Sequence, residues 1–212
     1  MKKLKKNAIK LNLGCGIKAV SGWINVDNFM TEQDIREHKG YFKFAVWEEG
    51  AKFVKADICD LPFPDNYADW AEMREVLEHF AIHNVIKALT EVHRVLKKGA
   101  TLILTTPNMD SVALDWINMA IRNKLTTNEE MGEYINLAHI IYGSQFAEGE
   151  YHQCPFNMPF LNYVATKAGF TQGKFVNYTK LTPMSKVDDG FLGSKDPKFA
   201  LRNDTIIATL IK

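Results

Sequence analysis

Gly14-Cys15-Gly16, followed eleven residues after Gly16 by Asp27, sets two backbone hinges and a carboxylate where a nucleoside could be held. The glycines end an apolar run, Leu11-Asn12-Leu13. They let the main chain approach a ligand at φ values that a side chain would forbid. Asp27 ends a second apolar run, Trp23 to Val26, where a carboxylate can accept hydrogen bonds from two ribose hydroxyls. Asp57 follows a third run around Phe53-Val54. It can accept the exocyclic amine of adenine, while Ile58 and Cys59 line the face of the ring. Taken singly, a Gly-x-Gly is a structural turn and a lone Asp is a helix N-cap or a loop-solvating residue. Together they describe a crevice outside the carboxyl ends of parallel strands.

Those ends must be carried by a sheet. The first 106 residues alternate short apolar runs with polar or helical stretches, the βαβ pattern. Strands are predicted at Ile9–Leu13, Trp23–Val26, Phe53-Val54, Trp70–Met73 and Thr101–Thr105. Leu102-Ile103-Leu104 in the last suits a strand buried on both faces. Ile82, Val85, Ile86, Leu89, Val92 and Leu96 predict a helix that stops at Lys97-Lys98-Gly99. Residues 109–170 differ: helices are expected over Val112–Ile121, Glu129–Ile141 and Pro159–Lys167, with an aromatic-rich stretch from Tyr142 to Phe156. Lys174–Tyr178 and Thr205–Ile211 read as an antiparallel hairpin closing the sheet, with 182–203 a long loop. The expected fold class is α/β, Rossmann-like, mostly parallel with an antiparallel C-terminal strand and a helical insertion. It forms a single domain over 1–212: a cofactor-binding half at 8–106, a helical lid at 109–170 and C-terminal strands at 171–212.

Composition removes several alternatives. Lys+Arg 26 against Asp+Glu 25 leaves a formal charge of +1, so no field favours nucleic acid or an anionic membrane. The run Lys2-Lys3-Leu4-Lys5-Lys6 reads as a solvated terminus, with no apolar signal region after it. Cys15, Cys59 and Cys154 are odd in number and far apart, which argues for a reducing cytoplasm and against disulfides or a zinc knuckle. A dinucleotide fingerprint would add a third Gly and a later acid, so a nicotinamide-dependent oxidoreductase is the weaker enzyme reading. Its test is a thermal shift with NAD or NADP.

Leu11–Gly16, Trp23–Asp27, Ala56–Phe63, Glu75-Val76-Leu77-Glu78-His79-Phe80 and Arg94–Leu102 stand in a recognisable order and spacing. In this the chain resembles the class I S-adenosylmethionine-dependent methyltransferases, over roughly residues 8–170. Thr106-Pro107-Asn108, Ile141-Tyr142-Gly143, His152 and Ala168-Gly169-Phe170 are similar to a small-molecule, type 11-like branch whose members often accompany sugar-modifying enzymes. The resemblance implies S-adenosyl-L-methionine as cofactor and a small-molecule acceptor, a sugar or saccharide-pathway metabolite among them. It implies Gly14, Cys15 and Gly16 beside the methionyl part, Asp27 on the ribose, Asp57 and Ile58 on the adenine, and Arg74 and Glu75 near the sulfonium. Two departures stand out. Gly16 to Trp23 is too short for the family's usual first helix, and residues 29–50, with Phe29, Tyr41, Phe42, Phe44 and Trp47, are an insertion expected to lay aromatics on the sheet. A non-catalytic cofactor-binding module is the third alternative, disfavoured because Gly-x-Gly, Asp27 and Asp57 are all retained.

The implied chemistry is in-line displacement at a sulfonium methyl, for which no metal is expected. Positioning can supply up to ~7–11 kcal/mol of the barrier, more than the ~10²–10⁴-fold of a general base. Among the histidines, His93 is expected to be structural, His38 and His83 solvated, and His139 a core or helix-face residue. His152, in the aromatic stretch, is the candidate catalytic residue. His79, Tyr142 and Tyr151 are candidate substrate contacts, against a plainer expectation of backbone bonding for His79 and core packing for the tyrosines. No Asn-Pro-Pro-Tyr tetrapeptide or basic stripe suggests a nucleic-acid acceptor. The expected partner is a small molecule, with no nucleic acid and no membrane; the sequence assigns no oligomeric state.

Overall fold

The computed structural model describes residues 7–41, 46–121, 126–145, 148–177 and 205–212. The lysine run at 2–6, Phe42, Phe44, Tyr178 and the loop at 182–203 lie outside the described residues.

In chain order the elements are β1 (Lys10–Leu13), β2 (Lys18–Ala19), β3 (Ile24–Asp27), α1 (Glu32–Tyr41), β4 (Val46–Trp47), β5 (Lys52–Lys55) and β6 (Ala68–Arg74). Then come a 3-10 turn (Leu77–His79), α2 (Ile82–Val95), β7 (Leu96–Pro107), α3 (Met109–Ile121), α4 (Asn128–Tyr142), α5 (Met158–Lys167), β8 (Gln172–Asn177) and β9 (Thr205–Ile211). The main sheet runs β5-β3-β1-β6-β7-β9-β8. Pairings from β5 to β7 are parallel, while β9 runs antiparallel to both β7 and β8. This is the mostly parallel sheet with antiparallel C-terminal strands that the apolar pattern predicts. Strand order reverses at β1, between β3 and β6, so the crevice of such a sheet opens at their carboxyl ends.

One face of the sheet rests on α2 and α5. Leu11, Leu13, Val26, Ala71, Met73, Leu102 and Leu104 meet Val85, Leu89, Val92, Leu161 and Val164 in a single apolar core. The other face carries a small cluster of Trp23, Trp70, Ile103 and Ile207. The buried stripe of α2 is Val85, Ala88, Leu89, Val92 and Val95, whereas Ile82 and Ile86 face water. That corrects the predicted stripe, since Ala88 and Val95 complete the inner row at helical spacing. The predicted stop also moves. Leu96 is already extended, Lys97 and Lys98 begin β7, and the Lys97 ammonium pairs with Asp69 at 2.8 Å rather than capping a helix.

The short stretch after Gly16 is held without a helix. Asn12 in β1 donates from Nδ2 to Asn25 Oδ1 in β3 at 2.9 Å and to the Lys18 carbonyl at 3.0 Å. Asn25, fully buried, accepts from Val20 N at 3.0 Å and donates to the carbonyls of Val20 and Lys52. Two side-chain amides thus satisfy the backbone of 18–20, which a helix would otherwise have satisfied internally. β2 then pairs with β4, and Cys15, Ala19, Ile35 and Trp47 pack as a third cluster with α1 against it. Trp47 matches the expected aromatic packing of the 29–50 insertion. Phe29 does not: it is 51% exposed.

Candidate functional site

A cavity of about 350 Å³ opens at the carboxyl ends of β1, β3, β5 and β6. Of the residues singled out from sequence, Gly14, Gly16, Asp27, Asp57, Ile58, Glu75 and His79 line it. Gly14 has φ +65°, and a Cβ built there would lie 2.5 Å from a methyl of Val76. Gly16 has φ +50° with nothing near an added Cβ, so its lack of a side chain leaves cavity space open.

The Asp27 carboxylate is buried, and the main chain wraps around it. Oδ2 accepts from Gly16 N at 2.8 Å; Oδ1 accepts from Phe29 N at 2.9 Å and Met30 N at 3.0 Å. A carboxylate offers about four acceptor positions, so a diol seeking two of them must share with, or displace, one of these N–H groups. Asp57 is exposed beyond β5 and accepts from Cys59 N at 2.8 Å, shaping the turn that turns Ile58 toward the cavity. Arg94 braces that turn from behind, donating to the Leu61 carbonyl and to Glu91, which itself accepts from Leu61 N. Glu75 sits at φ +52°, a left-handed conformation that costs a side-chain-bearing residue ~1 kcal/mol or more. Two bonds to Thr105 from its N–H hold it there.

Cys15 and Arg74 do not line the cavity. The Cys15 thiol is buried beside Asp27, and both effects push its pKa far up. Arg74 Nε reaches Glu72 Oε2 at 3.3 Å, and Glu72 also accepts from Trp70 Nε1. Burial lowers the pKa of Arg74, and Glu72 opposes that shift.

A second cavity of about 200 Å³ adjoins the first through Gln153, which lines both. Its walls include Pro107, Met109, Ile141, Tyr142, His152 and Phe156, with Glu78 among them. The His79 and His152 rings meet edge to face, centroids 4.7 Å apart, with His79 on the first cavity and His152 on the second. Burial, and then the charge His152 would carry, drive the His79 pKa down to about 4. His79 Nδ1 lies 3.2 Å from the Tyr151 carbonyl, and His152 Nδ1 lies 2.7 Å from that of Ile140. Backbone bonding by His79 is as expected.

The tyrosines are placed differently from expectation. Tyr142 and Tyr151 are 56% and 49% exposed, on the surface rather than in the core. Tyr142 borders the second cavity, while the Tyr151 ring lines neither cavity and only its carbonyl takes part. The surface placement follows from the backbone, for Gly143 and Tyr151 bridge in a narrow antiparallel pair and turn both rings outward. His93 is structural, packed on Phe170, and His139 lies on the exposed face of α4.

Sequence reasoning missed Phe29, Val76, Phe80, Asn84, Glu148, Gly149 and Gln153 as wall residues. Gly149 carried a signal: at φ +88°, a Cβ there would meet the Phe29 ring at 2.6 Å. The 148–150 turn therefore touches Phe29 of the insertion across the cavity mouth. The lid is tied down by Gln153 N and Cys154 N, both donating to the Glu78 carbonyl, and by Gln153 Nε2 donating to that of His79.

Residues 11–104 match the methyltransferase domain family. A curated relative, an uncharacterised protein of Methanocaldococcus jannaschii, is 30% identical over 117 residues, 51% of this chain and 44% of its own length. The chain spans less than half the length of the curated relatives it matches. A SAM-dependent methyltransferase of Archaeoglobus fulgidus aligns with TM-score 0.56 at 15% identity, over 97% of this chain and 86% of that one. The 1,6-didemethyltoxoflavin-N1-methyltransferase of Burkholderia thailandensis, solved with 1,6-didemethyltoxoflavin and S-adenosylhomocysteine, aligns at 0.51 and 14%, over 97% and 71%. At such identities the two structures carry the fold.

Proposed function

From a methyltransferase domain at residues 11–104 set in the class I methyltransferase fold, we propose that the chain uses S-adenosyl-L-methionine to methylate a small molecule. The observation that carries this is the pair of adjoining cavities, one edged by Gly14, Gly16, Asp27 and Asp57, the other behind the His79–His152 ring pair. The first has the volume of a ligand pocket. It offers a carboxylate for a ribose diol at Asp27, a second for an adenine amine at Asp57 and an apolar wall at Ile58. The backbone at Gly14 and Gly16 is open to close approach, and Glu75 faces the sulfonium end. Cys15 and Arg74 serve from behind, by filling the turn and by pairing with Glu72.

When bound, the cofactor supplies an activated methyl group, so the chain's task is to hold two partners in line and keep water out. The smaller cavity fits a compact acceptor of about one ring, apolar on the Met109–Phe156 side and polar on the Gln153–His152 side. That two-sided lining supports a sugar or saccharide-pathway metabolite, and the Burkholderia relative acts on a compact heterocycle. His152 is the candidate base: its Nδ1 is fixed by the Ile140 carbonyl, which sets the ring's orientation in the second cavity. Tyr142 borders the acceptor, and His79 flanks it from the first cavity across its ring contact with His152. Tyr151 contributes through its carbonyl. Among the described residues no helix is long and apolar enough to cross a membrane. Three buried, unpaired cysteines support a reducing cytoplasm.

Calorimetry with S-adenosylhomocysteine tests the reading. We expect one site per chain for the wild type and none for Asp27→Asn, which keeps the size of the side chain but offers one acceptor oxygen fewer. A wild type that fails to bind, or an Asp27→Asn variant that binds equally well, would remove the assignment.

A further inference from the structure

At the seam between the two cavities, Glu78, His79 and His152 each place one donor atom within 4.8 Å of the other two. Two donors on one first-row ion stand about 3–4 Å apart, given metal–ligand lengths of ~2.0–2.2 Å, so the three lie near the spacing one ion requires. We infer that Glu78, His79 and His152 form a binding site for a divalent first-row transition-metal ion. Its remaining coordination positions would be open toward the second cavity.

The donor chemistry fits. Two imidazoles and one carboxylate suit zinc with an open position, or iron and its neighbours in a facial triad. Both rings have the outer contact that metal-binding histidines usually have. Each points Nδ1 at a backbone carbonyl, of Tyr151 or Ile140, so the tautomer satisfying both carbonyls carries its lone pair on Nε2. Glu78 is 2% exposed, so its carboxylate meets the two rings out of bulk water. The cavities supply the entry path, since His79 opens on one and His152 on the other.

The three come from places the fold brings together: the 3-10 turn after β6, and the extended segment between α4 and α5. Resting on the methyl-transfer reading, the open positions would take an oxygen or nitrogen of the acceptor, so the site selects acceptors with a metal-binding group beside the methylated atom; with the ion bound, His152 serves as a ligand and not as the base, and the ion itself acidifies the acceptor. The reading of residue types alone assigned no metal here.

The test uses full-length protein stripped with a chelator, titrated with Co²⁺ and followed by visible absorption, with Zn²⁺ in competition. We expect one Co²⁺ per chain, displaced by Zn²⁺, with affinity reduced more than ~100-fold in Glu78→Gln and in His152→Gln, beyond the ~10–100-fold of a supporting contact. His79→Gln gives a third reading should either variant fail to fold. Absence of stoichiometric binding by the wild type overturns the inference and makes the trio a hydrogen-bonded latch for the lid. So does wild-type affinity in the folded variants. S-adenosylhomocysteine calorimetry on the same metal-free protein separates the two proposals, because cofactor binding without metal binding leaves the methyltransferase reading intact.

Discussion

Leu11, Leu13, Val26 and Met73, beneath the first cavity, are fully withdrawn from solvent, whereas α3 and α4 of the lid leave Leu114, Ile117, Ile121, Met131 and Ile135 between 42% and 75% exposed. The first cavity is built on strand ends whose ladders and core are continuous with the rest of the sheet. Residues 151–154 are tied to the turn after β6 through a few bonds: the amides of Gln153 and Cys154 on the Glu78 carbonyl, Gln153 Nε2 on the His79 carbonyl, and His79 Nδ1 beside the Tyr151 carbonyl at 3.2 Å. A region with few buried apolar contacts opens at lower free energy than one sharing the main core. The contrast assigns rigidity to the first cavity and adaptability to the second.

Breaking the rigid side should give the largest effect. Asn25→Leu deprives Asn12 and Val20 N of their acceptor and leaves the Val20 and Lys52 carbonyls without a donor, all in or beside a fully buried site. We expect a loss of ~3–4 kcal/mol, which at this chain length lowers Tm by roughly 10 °C, measured by calorimetry. Gly14→Ala comes next at ~3 kcal/mol, from a forced φ and a clash with Val76. Gly16→Ala, with open space around it, should cost only ~1 kcal/mol of backbone strain. Adding Val76→Ala should recover part of the Gly14→Ala loss and none of the Gly16→Ala loss; equal rescue of both would show that contact with Val76 is not the cause.

Asp27→Ala should lower stability by ~2 kcal/mol as well as binding, since Gly16, Phe29 and Met30 lose their acceptor. A pure binding role would leave urea unfolding unchanged, and we expect a shifted midpoint. The smallest effect sharpens the comparison most. Gln153→Ala should cost less than ~1 kcal/mol overall. It should nonetheless speed amide exchange in 148–154 while leaving β1, β3 and β6 as protected as in the wild type. Faster exchange in both regions would mean that lid and sheet unfold together.

The lining of the first cavity was legible because strand ends announce themselves. An apolar run, then Gly14 or an acid, marks both the element and the place where it stops, and β1, β3, β5, β6 and β7 fall where the pattern put them. The helix α2 was legible in position but not in its outer face, because Ile82 and Ile86 are apolar yet solvent-facing. Nothing in the spacing foretold that Asn12 and Asn25 would stand in for a helix, since an asparagine in a strand looks the same whether it faces water or a neighbouring backbone. Nor did it foretell that Tyr142 and Tyr151 would turn outward.

By itself, the order of apolar runs, glycines and acids determined which segments are strands, the mostly parallel class of the sheet and the strand ends that carry Gly14, Gly16, Asp27 and Asp57, because each signal lies within a few residues of its element; the strand order, with its reversal at β1, came from the fold. Only the tertiary structure brought Gly149 onto Phe29, Gln153 onto His79, and Glu78, His79 and His152 to one point. These meetings join segments about seventy residues or more apart. They depend on how the α3–α4 pair returns the chain across the sheet's end, a packing outcome that no local periodicity encodes.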